Sequence, residues 1–375
     1  MPDRVDTEVS VTEARFLPRA DLQRLLDVLA EAGYECIGPR VRDGAIVYDP
    51  VTRVTELPHG VTDRQGPGEY RLQADAGGRC FAWANGPQAL KPLLFTPQES
   101  LWTVRRDAQG RLAFIPAPPV VRPMAVLGVR ACDLAALRLQ DAHFRDGPRP
   151  DPAYSARRDA LFLIAVHCTH PAATCFCVST GDGPRADFGY DLALSELDDG
   201  FLVEAGSIAG GVILRRLPTV EATTGQCQTA AREIEAGARA QQRALPGTDL
   251  RDTLLERLEH PRWEEVAQRC LSCANCTSVC PTCFCYSEHD TPSLDGGESA
   301  HTRQWDSCFT FGHSYIHGGA VRGGTRERYR QWLTHKLGGW HDQYGRSGCV
   351  GCGRCITWCP VGIDITEEAR AVCAD

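Results

Sequence analysis

The apolar positions of the first two-thirds of the chain alternate between helical and strand-like spacing. In ADLQRLLDVLAEAGYE (residues 20–35), four leucines recur at the spacing of one helix face, and Gly33 is a typical helix stop. GAIVYDP and EYRLQAD have the composition and length of short strands. No motif of catalysis occurs in this part, so we expect it to serve packing or docking.

The clearest pattern lies between residues 120 and 205. PMAVLGVRA (123–131) and RDALFLIAVHC (158–168) are apolar runs of strand length, and LAALRLQDAHF between them has helical character with Asp133 as the expected N-cap. Two apolar strands joined by a helix predict a parallel βαβ unit. Cys132 and Cys168 then emerge at the edge of the sheet where open α/β folds bind ligands.

Further along, FGYDLALSEL and GFLVEAG predict a hairpin. QTAAREIEAGARAQQRAL and RDTLLERLEHPRWEEVAQRC predict a polar helical bridge into a cysteine-rich region. Of the 19 cysteines, 12 lie after residue 269.

Composition narrows the class of protein. The net charge of −8 argues against a nucleic-acid partner, and no apolar run approaches the ~20 residues of a membrane helix. The N-terminus lacks the pattern of a signal peptide, so we expect a cytoplasmic protein without membrane contact. In that reducing compartment, cysteines are expected to bind metal rather than to form disulfides.

Two cysteine motifs carry the chemistry, and each has the spacing C-x2-C-x2-C-x3-C-P of two-cluster ferredoxins. In this spacing the fourth cysteine ligates the other cluster. The first [4Fe–4S] cluster is therefore expected on Cys270, Cys273, Cys276 and Cys359, and the second on Cys349, Cys352, Cys355 and Cys280. Zinc is the competing ligand, but two copies of the full spacing are atypical of zinc sites.

Seven other thiols lie near these motifs or the βαβ unit. Four of them offer the ligand count of a third [4Fe–4S] cluster: Cys132, Cys168, Cys175 and Cys177. The alternatives for this set are a buried thiol cluster or a zinc site. Cys132 is expected at a helix N-terminus, where the dipole favours the thiolate. The three others, Cys283, Cys285 and Cys308, are expected to pack beside the clusters or to form an additional site completed by a further ligand such as a histidine.

These patterns together predict two domains. Residues 1–255 are expected to form an α/β (α+β) domain with a mixed or parallel sheet and the third cluster. Residues 256–375 are expected to form a ferredoxin-like domain with two [4Fe–4S] clusters and a long insert at 286–345.

Four arginines in the insert (Arg322, Arg326, Arg328 and Arg330) lie either on a solvated helix face or on a basic surface for an acidic partner such as a ferredoxin. Phosphate-binding glycine loops are not evident, so no nucleotide or catalytic site is predicted.

Six segments, in this order, resemble one family: GVRACDLAAL, CTHPAATCFC, CLSCANCTSVCPTCFC, RQWDSCF, GHSYIHGGAVR and CVGCGRCITWCP. They are similar to the beta subunit of cytoplasmic NADP-linked NiFe hydrogenases (sulfhydrogenases), and also to its relative, the electron-transfer subunit of anaerobic sulfite reductase. The resemblance covers about residues 90–370.

The resemblance implies an iron–sulfur subunit that relays electrons and has no catalytic centre of its own. Its implied partners are a flavin subunit that binds NAD(P) and the large and small subunits of a NiFe hydrogenase. It also implies a third cluster in the N-terminal part. The alternative functions are the electron-transfer subunit of a sulfite reductase complex and a scaffold whose clusters only stabilise structure.

Overall fold

A computed structural model describes residues 14–88, 90–247 and 250–374. The strands of these residues are β1 (Arg15–Pro18), β2 (Glu35–Arg42), β3 (Ala45–Pro50), β4 (Val61–Gly66), β5 (Glu69–Ala74), β6 (Gln98–Arg106), β7 (Leu112–Pro116), β8 (Met124–Val129), β9 (Leu161–Val166), β10 (Leu192–Glu196), β11 (Gly200–Ala205), β12 (Val220–Glu221), β13 (Tyr286–Pro292), β14 (Glu298–Trp305), β15 (Tyr315–Ile316) and β16 (Gly319–Ala320).

The helices are α1 (Leu22–Glu31), α2 (Lys91–Leu94), α3 (Ala131–Phe144), α4 (Pro152–Asp159), α5 (Cys177–Thr180), α6 (Ile208–Leu214), α7 (Thr224–Ala240), α8 (Leu250–Glu256), α9 (Arg262–Arg269), α10 (Asn275–Ser278), α11 (Thr325–Thr334), α12 (Trp340–Tyr344), α13 (Arg354–Thr357) and α14 (Ile365–Cys373). A π-helical turn at His335–Gly339 joins α11 to α12. Within the described ranges, no helix combines the length and apolarity needed to cross a bilayer.

An eight-stranded mixed sheet forms the N-terminal part, in the order β12-β1-β11-β10-β9-β8-β2-β3. Its centre is parallel, because β9 pairs in parallel with both β8 and β10, and β2 pairs in parallel with β8. The predicted βαβ unit is β8-α3-β9, and the predicted hairpin is β10-β11. The prediction of a mixed or parallel sheet is therefore confirmed in its mixed form.

Both faces of the parallel centre are buried, as expected for strands covered by helices on either side. Alternate residues of β9 point into different cores: Phe162 and Ile164 pack on the side of α1, and Leu163 and Ala165 pack on the side of α3. The sequence reads as an unbroken apolar run there because neither face of β9 meets water.

The N-terminus of helix α3 differs from the prediction. Arg130, not Asp133, is the N-cap of α3, and it makes no side-chain capping bond. Asp133 lies inside the first turn and is fully buried, where its carboxylate pairs with Arg354. Aspartate is a residue type common at helix N-caps, but here the ion pair with Arg354 determines the position of Asp133.

The insert between the two cysteine motifs is hydrogen-bonded to the N-terminal part. β13 and β14 form a hairpin, and β14 pairs with β6, giving an antiparallel sheet in the order β13-β14-β6-β7. Leu250 and Leu254 of α8 lie in the same core as α9, α11 and α14. The division of the chain at 255/256 stays a prediction, and α8 packs with the C-terminal side of it.

Candidate metal centres

The two cysteine motifs have the same local backbone geometry. In the first, Ser272 and Ala274 have left-handed φ angles of 50° and 65°; in the second, Gly351 and Gly353 have φ angles of 62° and 75°. The residues after them form matching one-turn helices, α10 and α13, which contact each other. Left-handed φ is uncommon for serine and alanine, and such conformations cluster at ligand-binding sites.

This backbone directs amide groups at sulfur. The N–H of Ser272 lies 3.5 Å from Cys270 Sγ, and the N–H of Gly351 lies 3.5 Å from Cys349 Sγ. Hydrogen bonds from backbone N–H groups to cysteine sulfur stabilise the charged ligand and tune reduction potential. The residues that donate, Ser272 and Gly351, are small, which allows this approach to the sulfurs.

The four thiols predicted for the first cluster line one cavity, together with Cys355 of the second motif. Its other walls are mainly apolar, and they include Tyr329 and Trp332. Both have a buried polar atom, Tyr329 Oη and Trp332 Nε1, that has no hydrogen-bond partner within the described residues. Buried donors without partners and converging thiols fit a sulfur-rich group in this cavity.

The four thiols predicted for the second cluster lie within electrostatic reach of one another. Burial and the neighbouring Cys352 raise the pKa of Cys349 to about 12, although the Gly351 amide and the cation of Lys336 act in the opposite direction. Lys336 is buried and donates to Thr282 Oγ1 at 2.8 Å, and that oxygen lies 3.2 Å from Cys280 Sγ. A buried ammonium beside several thiols fits an anionic ligand set.

The four thiols predicted for the third cluster also line a single cavity. Two amide side chains donate to them: Asn85 Nδ2 lies 3.0 Å from Cys132 Sγ, and Gln241 Nε2 lies 3.2 Å from Cys177 Sγ. Arg130 lines the same cavity, and its Nε is a buried donor without a partner in the described part of the chain. Thiols with hydrogen-bond donors beside them fit a [4Fe–4S] cluster in this cavity, as they do in the first cavity.

Burial opposes the expected effect of the helix dipole on the pKa of Cys132. Cys132 is the second residue of α3, near the positive end of the helix dipole, but burial and the neighbouring Asp133 raise its pKa well above the ordinary range. Desolvation outweighs the dipole here. A bound cation is then the group that would keep this thiol ionised.

The three sets are arranged in series. Cys355 of the second set lines the cavity of the first, and Cys352 of the second set lines the cavity of the third. The backbone makes the same connection, since the N–H of Phe176 donates to Gly351 O at 2.8 Å. The loop of the third set therefore packs directly on the second cysteine motif.

A buried ion pair links the same two regions. Arg354, between Cys352 and Cys355, donates to both carboxylate oxygens of Asp133, at 2.7 and 3.1 Å. Its remaining donors reach the carbonyls of Gly86 and Gln88, each at 3.0 Å. Arg354 thus holds the second motif against α3 and the residues that precede it.

The three surplus thiols do not line these cavities. Cys283 hydrogen-bonds to Cys280, which raises the pKa of Cys283 well above its ordinary value. Cys285 Sγ lies 3.7 Å from Cys308 Sγ, and this contact lowers the pKa of Cys308 to about 7. Cys285, Cys308 and His313 present three ligand atoms within 4.8 Å of one another.

Several residues around the thiols carried no signal in the sequence. Asn85, Gln241 and Lys336 reach the sulfurs or their loops from segments 47, 64 and 54 residues away along the chain. Arg354 lies within the second motif and reaches out to Gly86, 268 residues away. The arginines of the insert are largely engaged within the chain: Arg326 and Arg330 pair with Glu259, and Arg328 donates to backbone carbonyls. At these three positions the contacts favour a helix face engaged within the chain over a free basic surface for an acidic partner.

Comparisons with known proteins agree with this geometry. Residues 269–363 match the 4Fe-4S dicluster domain family. The sulfhydrogenase 2 subunit beta of Pyrococcus furiosus is 34% identical over 251 residues, which are 65% of this chain and 73% of that protein. No solved structure matches the chain. The predicted resemblance is confirmed: the chain belongs to the family of sulfhydrogenase beta subunits, which are electron-transfer iron–sulfur subunits of hydrogenases.

Proposed function

We propose that the chain relays electrons through three [4Fe–4S] clusters within a cytoplasmic NAD(P)-linked NiFe hydrogenase. Its partners in this proposal are a flavin subunit that binds NAD(P) and the large and small hydrogenase subunits, with a ferredoxin as a further electron partner. The clusters supply one-electron transfer, and the chain supplies their ligands, their spacing and their electrostatic surroundings.

The observation that carries the proposal is the serial arrangement of the three thiol sets. The ligands in this proposal are Cys270, Cys273, Cys276 and Cys359 for the first cluster, Cys349, Cys352, Cys355 and Cys280 for the second, and Cys132, Cys168, Cys175 and Cys177 for the third. The second set contributes one cysteine to the cavity wall of each of the other two sets, so it has the middle place in the relay. A scaffold needs no such continuity, so this arrangement favours electron transfer.

The first set is the one that approaches the surface. Cys273 is exposed, whereas Cys132, Cys175 and Cys177 are buried. Leu271, between Cys270 and Cys273 in the chain, is 63% exposed, and an exposed apolar side chain at a redox site suits contact with another protein. We therefore assign the exchange of electrons with a partner protein to this end.

The buried thiols require a reducing compartment and a charge-compensating group. Burial and neighbouring thiols raise the pKa of Cys355 and of Cys276 well above the ordinary range. The ligands of a cluster must be reduced cysteines, and an oxidising compartment favours disulfides among so many neighbouring thiols. This chemistry supports the cytoplasmic placement.

The second candidate function is the electron-transfer subunit of a sulfite reductase complex, a relative that the six sequence segments also resemble. Purification of the native complex separates the two candidates. Co-purifying nickel and flavin support the hydrogenase, whereas co-purifying sirohaem supports the sulfite reductase.

Iron and acid-labile sulfide analysis of anaerobically purified protein tests the number of clusters. Three [4Fe–4S] clusters require about 12 iron atoms per chain, and Cys175→Ser should remove about four of them while the other eight remain. Cys227→Ser is the matched control, because Cys227 is exposed and lines neither of the two thiol cavities.

Two results would contradict the assignment. About eight irons in the unmodified chain would remove the third cluster, and unchanged iron in Cys175→Ser would remove Cys175 from its ligands. Clusters that stay oxidised down to the potentials of low-potential ferredoxins, followed by EPR, would leave only a structural role.

A further inference from the structure

The base of the insert hairpin brings two of the surplus thiols together. Cys285 directly precedes β13 and Cys308 lies three residues after β14, and the register pairs Tyr286 with Trp305 at this end. The hydrogen bond from Asp306 N to Cys285 O, at 2.9 Å, continues the pairing beyond the strands. The antiparallel ladder therefore fixes the two sulfurs beside each other.

The distance between the sulfurs distinguishes the possible bonds. Cys285 Sγ and Cys308 Sγ are 3.7 Å apart. A disulfide requires about 2.05 Å. Two thiolates on one tetrahedral Zn²⁺, each about 2.3 Å from the metal, lie about 3.8 Å apart. Ligands of a cubane bind separate irons at different corners and are held farther apart than ligands of a single ion. The observed separation fits one tetrahedral ion.

A histidine provides a third ligand, and its ring is hydrogen-bonded to a carboxylate. A ring nitrogen of His313 lies within 4.8 Å of both sulfurs, and its Nδ1 lies 3.0 Å from Asp306 Oδ2. With Nδ1–H donated to a carboxylate, Nε2 is the nitrogen left to bind a metal. This carboxylate–histidine arrangement is the usual support of a metal-bound imidazole.

We propose that Cys285, Cys308 and His313 bind one Zn²⁺ ion, separate from the iron–sulfur clusters. Zinc prefers this mixed sulfur and nitrogen ligand set and tetrahedral geometry. The proposal stands on the local geometry of the hairpin base and does not depend on the function proposed above.

One of the three proposed ligands, Cys285, also lines a cavity. This cavity is lined by Cys283, Cys285, Asp306, Ser307 and Thr310, among others. Cys283 is engaged with Cys280 of the second cluster set, so we assign the fourth position to an exchangeable ligand such as water.

The ion would fasten the insert to the C-terminal core. Phe309, next to Cys308, lines the cavity of the first cluster set, and Arg328 donates to Phe309 O at 2.8 Å. A metal bond at Cys308 thus ties the base of the hairpin to a wall of that cavity.

Metal analysis of the anaerobically purified full chain, grown with zinc, tests the proposal. We expect about one zinc per chain, with zinc EXAFS showing two sulfur neighbours at about 2.3 Å and nitrogen or oxygen at about 2.0–2.1 Å. Cys308→Ser and His313→Gln should each lose zinc while iron content is unchanged. Asp306→Asn should weaken zinc affinity by about 10–100-fold.

An unchanged iron content shows that a variant has folded. His289→Gln is the matched control, because His289 is an exposed residue of the same hairpin. Protein without stoichiometric zinc would overturn the proposal. Loss of iron in Cys308→Ser would assign the thiol to a cluster instead. A disulfide between Cys285 and Cys308, detected by mass spectrometry of the native protein, would also overturn it.

Discussion

Asp133 and Arg354 form a buried ion pair, and the structure allows the effect of breaking it to be worked out. Their side chains are 1% and 0% exposed. Asp133→Asn removes the compensating charge and leaves the guanidinium buried, a change that costs about 3–5 kcal/mol in such pairs. Arg354 keeps its bonds to the carbonyls of Gly86 and Gln88, so we expect the lower end of that range.

The corresponding shift in melting temperature follows from the size of the chain. An unfolding entropy of about 2.1 cal/mol/K per residue over 375 residues converts a loss of ~3 kcal/mol into a decrease of about 4 °C. Anaerobic thermal unfolding at a fixed scan rate is the assay, because cluster proteins unfold irreversibly and their midpoints depend on the rate of heating.

A double variant distinguishes the ion pair from loss of packing. Arg354→Met combined with Asp133→Asn removes both charges, and its destabilisation should be smaller than the sum of the single changes by about 1–3 kcal/mol. Glu235→Gln is the control, because its partner Arg239 is exposed and the shift should stay below about 1 °C. Strictly additive single changes, or a shift no larger than that of the control, would refute the reasoning.

Two further predictions concern charge near the site and pH. Lys336→Met should make the reduction potential of the second cluster more negative in an EPR-monitored titration, because it removes a buried cation beside Cys280 and Cys349; an unchanged potential would contradict this placement of the charge. Burial lowers the pKa of His143, so the unfolded chain takes up a proton before the folded protein does, and stability should fall as pH decreases below about 6.5. His167 and His335, whose pKa values burial also lowers, contribute to the same slope. His143→Phe should therefore make that part of the stability profile shallower, and an unaltered slope would exclude a contribution from His143.

The sequence predicted the elements whose patterns are local. The leucine spacing of α1, the apolar runs of β8 and β9 and the cysteine spacing each reflect neighbours a few residues apart, and the structure contains all three. Proximity of Cys132 to Cys168 was also predictable, because parallel strands end at a common edge.

What the sequence could not show depends on contacts between distant segments. β6 pairs with β14, almost 200 residues later in the chain, and neither strand has a pattern that selects the other. Asp133 is of a residue type that is common at N-caps, yet its ion pair with Arg354 determines its position. Asn85 and Gln241 approach the third thiol set from different segments, and an isolated polar residue gives no indication of its partner.

The left-handed positions of the two cysteine motifs bear on whether the motifs are interchangeable. A Cβ atom at Gly353 would lie 2.6 Å from Thr174 O, and one at Gly351 would lie 2.5 Å from Cys177 N. Ser272 and Ala274 adopt the same φ region with side chains present. Grafting the glycines of the second loop onto the first should therefore be tolerated, whereas the reverse graft would push the 174–177 loop away. The repeat is symmetric in backbone shape, but only its second copy requires glycine for contact with a neighbouring loop.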